Sequence, residues 1–82
     1  MAERHLDTET IKRVLGVLKG FHDQGNCSLD RILRHLRDMS KYAEHHRSHR
    51  PTIAYLKRRM RDCGVTDYES ARAVCDELLR EN

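Results

Sequence analysis

Three sets of side chains in this 82-residue sequence have the types and spacings that chemistry uses: a histidine cluster, three thiols and a run of cations. His45, His46 and His49, with Glu44, stand at i, i+3 and i, i+4 spacings, which on a continuous helix would offer imidazoles and a carboxylate to a zinc ion. Arg47 and Arg50 are interleaved, no cysteine or histidine elsewhere has finger spacing, and Pro51 follows at once. A solvated loop without metal is therefore the expectation. A nucleophilic cysteine needs thiolate character. Cys27 lies just ahead of an expected helix start, where the dipole favours an anion, although its spacing to Ile32 equally makes it one half of an apolar staple. Cys63 and Cys75 fall at core spacing and read as inert, and His22 and His35 border apolar stripes.

The cations are the most uneven feature. The formal net charge is +3. Residues 31–61 carry ten basic side chains against two acidic ones, whereas residues 1–30 sum to −1 and residues 62–82 to −4. At 100° per residue, Arg31, Arg34, Arg37 and Lys41 lie opposite the apolar positions of one expected helix, and Lys57, Arg58 and Arg61 lie away from Met60 on the next. Arg47 and Arg50 join them through the intervening loop. If the two helices pack antiparallel, these nine residues merge into one basic surface with Tyr42 and Tyr55 nearby, the electrostatic footprint of a phosphate-binding protein. The plainer reading is a solvated face: Asp30–Arg34, Arg34–Asp38 and Arg58–Asp62 have ordinary i, i+4 ion-pair spacing. Two acids against ten bases leave most of the ridge unpaired on either reading. His35, His45, His46 and His49 fall in the same third and would add charge as pH drops.

Positioning these groups falls to four helices, each with start and stop signals. Asp7 caps the first, about 8–23, with Leu6 and Ile11 as a staple, Ile11, Val14, Leu15, Leu18, Phe21 and His22 on one face, and Gly25 as the stop. Ser28 caps the second, about 29–44, with Leu29, Ile32, Leu33, Leu36, Met39 and Ala43 as its stripe. Pro51 disfavours a helical Arg50, which places a break at 45–50. The third helix, about 52–63, carries Ile53, Leu56, Met60 and Cys63 and stops at Gly64. Thr66-Asp67-Tyr68-Glu69 matches a capping box, with Thr66 as cap, for the fourth, about 67–80, whose stripe is Ala71, Val74, Cys75, Leu78 and Leu79. Period-two alternation is lacking. The fold expected is all-α, a compact four-helix domain with short connections, single over 1–82.

Composition narrows the function. Charged residues make up 35% of the chain and the mean hydropathy is −0.83. No apolar run approaches the ~20 residues of a membrane-spanning helix. The opening Met-Ala-Glu-Arg-His lacks a secretory apolar stretch, and three thiols without Cys-x-x-Cys spacing suggest reduced cysteines, so a cytoplasmic location is expected. Helices three and four, with Gly64 between them, have a helix-turn-helix look. Arg59 and Ser70 occupy positions that motif keeps apolar, however, and the acidic fourth helix would be repelled by phosphates, so it is not expected to read bases. A four-helix domain of this length has little room for a substrate pocket. The expectation is a small non-enzymatic regulatory or binding protein without cofactor. Its basic face would contact DNA or RNA phosphates through Arg31, Arg34, Arg37, Lys41, Arg47, Arg50, Lys57, Arg58 and Arg61. The alternative is an inhibitor or adaptor docking the same face on an acidic protein partner.

Overall fold

The computed structural model describes residues 6–42 and 49–81. It is an all-α domain of four helices: α1 (Thr8–Asp23), α2 (Leu29–Tyr42), α3 (His49–Asp62) and α4 (Tyr68–Glu81). Two of the expected boundaries need correcting.

The first helix starts as its sequence indicates. The Asp7 carboxylate accepts from the Glu9 N–H at 3.2 Å and from the Thr10 hydroxyl at 2.7 Å, satisfying a first-turn donor that has no partner inside the helix. The Asp7 N–H in turn donates to the Thr52 hydroxyl at 2.9 Å, which fastens the start of α1 to α3. At the other end Gly25 takes φ +71°, and the amides of Asn26 and Gly25 donate to the carbonyls of Phe21 and His22, each at 2.9 Å. This is the paired arrangement that closes a helix through a left-handed residue. Gly64 at φ +65° closes α3 in the same way: the Val65 amide reaches the Met60 carbonyl at 3.0 Å, and the Val65 side chain folds under into the core.

The third helix begins at His49, three residues earlier than expected, with Arg50 helical and Pro51 inside the first turn. A first-turn residue has no intrahelical acceptor for its N–H, so the missing proline donor costs nothing there. Of the stretch 45–50 expected as a break, His49 and Arg50 are helical, and 45–48 lie outside the described residues. The last two expected residues of α2, 43 and 44, lie outside the described residues. The second correction concerns α4. Its cap is Asp67, not Thr66: the Ser70 amide donates to the Asp67 carboxylate at 2.9 Å, and the Ser70 hydroxyl accepts from the amides of Asp67 and Thr66 at 3.2 and 3.1 Å. The reciprocal box is thus Asp67 with Ser70, and Glu69 is left exposed.

Four apolar faces meet in one core. Ile11, Val14 and Leu18 of α1, Ile32 and Leu36 of α2, Ile53, Leu56 and Met60 of α3, and Ala71, Val74, Cys75 and Leu78 of α4 are all buried. Two further expectations fail. Leu33 is half-exposed and does not pack on this cluster, and Cys63, beyond the end of α3, is exposed.

The helices alternate in direction. His22 near the end of α1 stacks on Tyr68 at the start of α4, with ring centroids 4.8 Å apart, so these two run antiparallel. Phe21 beside it touches the first half of α2, edge-on to the His35 ring at 5.7 Å and 4.6 Å from the Arg31 guanidinium carbon. The start of α2 therefore sits at the end where α3 stops and α4 begins, which makes α2 and α3 an antiparallel hairpin. α3 packs on α1, α2 and α4, while α2 lies chiefly against α3. No helix among the described residues is long and apolar enough to cross a membrane.

Candidate functional site

The α2–α3 hairpin carries eight of the nine expected cations, and the structure sorts them into different roles. The ninth, Arg47, lies outside the described residues. Arg31 leaves the ridge: half-buried, it lays its guanidinium over Phe21, a cation–π contact that helps hold α2 against α1. Arg34 is exposed and pairs with Asp30 at 3.2 Å rather than with Asp38. Both partners are mostly in water, so this pair is weak and leaves the cation open to competition. Arg37, Lys41, Arg50, Arg58 and Arg61 are exposed and Lys57 is half-buried; none has an ion-pair partner among the described residues. The Arg58–Asp62 pair expected from spacing does not form.

The faces of the hairpin follow from what each flank touches. On α2, His35 and Arg31 turn toward Phe21 of α1, and the opposite flank carries Leu33 and Arg37. On α3, Thr52 and Arg59 turn toward α1 and α4, and the opposite flank carries Arg50, Lys57 and Arg61 within a sector of about 40°. Because the two helices are antiparallel, these opposite flanks look out of the same side of the domain. Arg34, Lys41 and Arg58 project farther around the backs of their helices.

Sequence reasoning missed Arg59 as a structural residue. Its guanidinium meets the Glu77 carboxylate at 3.0 Å and ties α3 to α4 across eighteen residues, a partner that no local pattern discloses. The position a helix-turn-helix would fill with an apolar residue is thus filled by a half-buried ion pair. Tyr55 is half-buried against the core, on the flank shared with Arg59 rather than on the cationic one.

Two of the three thiols are pushed away from thiolate character. Burial pushes the Cys75 thiol up to about 12. Burial first, then the Asp67 charge, also raises Cys27, and this outweighs the activation its place before α2 had suggested. Burial lowers His35, the Arg31 charge adds to that, and Asp38 opposes it, so His35 resists gaining charge as pH falls. Glu44, His45 and His46 lie outside the described residues, as does the side chain of His49. Among the described residues no three His, Cys, Asp or Glu side chains group closely enough to hold a metal ion. A surface groove of about 540 Å³ between α1 and α4, lined in part by Lys19, His22, Glu69, Arg72 and Asp76, is open to solvent and mixed in charge. No protein-family model, curated protein or solved structure matches this chain.

Proposed function

We propose that the protein is a small non-enzymatic binding protein that holds nucleic-acid phosphates on the cationic face of its α2–α3 hairpin. The observation that carries this reading is the set of cations without acidic partners among the described residues, Arg37, Lys41, Arg50, Lys57, Arg58 and Arg61, all on one hairpin of a chain whose other two thirds are net acidic. Cations in such numbers are not needed to solvate two helices, and their summed field attracts a polyanion. The raised thiols of Cys27 and Cys75 support a packing rather than a nucleophilic role for these two side chains.

The test is a fluorescence titration of DNA and RNA at several salt concentrations, with the parent and an Arg34→Gln/Arg37→Gln/Arg58→Gln variant. These side chains are exposed, so the melt should move little, by roughly 0.5 kcal/mol or less per site. Binding should weaken, and its salt slope should flatten by about one unit for each phosphate that is no longer neutralised. Failure of the parent to bind either nucleic acid at low salt overturns the proposal. It would leave docking on an acidic protein, whose salt response falls mainly on the association rate.

A further inference from the structure

The described aromatic rings and the cations occupy opposite sides of the hairpin. Phe21 is covered by Arg31 and edged by His35, Tyr68 is buried under His22, and Tyr55 packs against the core on the flank facing α1 and α4. None of these three rings lies on the outer face with Arg37, Arg50, Lys57 and Arg61. Proteins that grip single strands combine a basic groove with aromatic platforms on which bases stack. Among its described residues this face has cations and, between them, the small apolar surface of Leu33 and Ala54; the ring of Tyr42 lies outside the described residues.

Three of these four cations form one row, and the fourth stands beside it. Arg50, Lys57 and Arg61 run for about 16 Å along α3, and Arg37 stands beside them on α2. Packed helices have axes about 8–10 Å apart. A row with a further cation one helix spacing to its side matches a ligand that itself presents two rows of phosphates, as a duplex does across a groove about 6–12 Å wide. A single strand presents one row, with half the charge per unit length.

Resting on the nucleic-acid reading above, we infer that the outer face of the α2–α3 hairpin binds the backbone of double-helical nucleic acid, bridging two phosphate rows without reading base sequence. The four cations named would release about four counterions, giving a slope of log K against log salt of about −3.6 on a duplex and about −2.8 on a single strand. From this difference alone, the duplex binds about sixfold more tightly at 0.1 M salt.

The experiment titrates the full chain with two labelled DNA duplexes of unrelated sequence and with their separated strands, at equal length, between about 50 and 200 mM salt. The result expected is a duplex preference of about sixfold or more, near-equal affinity for the two duplexes, and a slope near −3.6. Arg37→Gln/Arg61→Gln should halve that slope with the far-UV spectrum unchanged, while Lys12→Gln/Arg13→Gln on α1 should leave it alone. Separated strands that bind as tightly as the duplex, or one duplex sequence strongly preferred over the other, would overturn the inference and leave the nucleic-acid reading standing. Absence of binding to every probe at low salt would overturn both.

Discussion

Two glycines in the middle of α1 give the sharpest test of the packing. Gly16 and Gly20 are helical, and a Cβ added at either would meet nothing among the described residues within 4 Å. Neither position needs the conformational freedom of glycine, since neither has a positive φ. Replacing glycine by alanine in a helix interior gains about 0.8–1.0 kcal/mol, because alanine loses less backbone entropy on folding. With no steric penalty to subtract, Gly16→Ala should gain close to that full amount. Gly20→Ala should gain somewhat less, because it lies in the last turns, where the helix frays. For a domain of this size about 1 kcal/mol corresponds to a rise in Tm of roughly 4–8 °C. Gly25→Ala is the internal control. It puts a Cβ on a residue at φ +71° and should destabilise by about 1–2 kcal/mol. Thermal and urea unfolding followed by far-UV circular dichroism would read all three, at several protein concentrations. A fall in Tm for Gly16→Ala, or the same sign for Gly16→Ala and Gly25→Ala, would refute the assignment of an open outer face to α1.

Leu36→Ala and Leu78→Ala each empty a fully buried site and should lose ~2–5 kcal/mol, enough to leave much of so small a domain unfolded; the urea midpoint measures it. Asp67→Ala should lower Tm at neutral pH by removing the cap of α4. The Ser70 amide and then its hydroxyl hold the Asp67 carboxyl below its ordinary value, so its stabilisation is present above the unfolded-state value near 3.9 and is lost as pH falls through the lower folded one. The gap in Tm between parent and variant should therefore close only in strong acid. Alkylation followed by mass spectrometry should mark exposed Cys63 first, half-buried Cys27 more slowly, and Cys75 only on unfolding.

Helix existence was legible because each segment carries its own apolar stripe and local caps; Asp7, Ser28, Gly25 and Gly64 all act within a few residues of their place in the chain. Errors arose where two local solutions compete. Thr66 and Asp67 are both good caps, and the choice went to the residue whose carboxylate meets both the amide and the hydroxyl of Ser70. Pro51 reads equally as a helix breaker or as a first-turn residue, and only the position of the preceding turn decides between them. Of the candidate site, the exposed ridge followed from the helical wheel, but Arg31 could not be separated from it. Its partner is Phe21, on another helix, and Arg59 found Glu77 by the same non-local route.

That division bears on what the remaining cations are for. Arg31 and Arg59 each return something to the fold: one covers an aromatic ring, the other joins two helices. Arg37 and Lys41, four residues apart on α2, and Lys57 and Arg61, four apart on α3, form like-charge pairs that mildly destabilise their own helices. Across the hairpin they repel one another as well, an effect screened by salt but not abolished by it. The core beneath does not need them, since Ile32, Leu36, Ile53 and Leu56 are buried on the opposite sides of the same helices. A face whose cations oppose folding slightly and have no acidic partners among the described residues would be compensated by a bound anion, and this is what the proposed contact with nucleic-acid phosphates supplies.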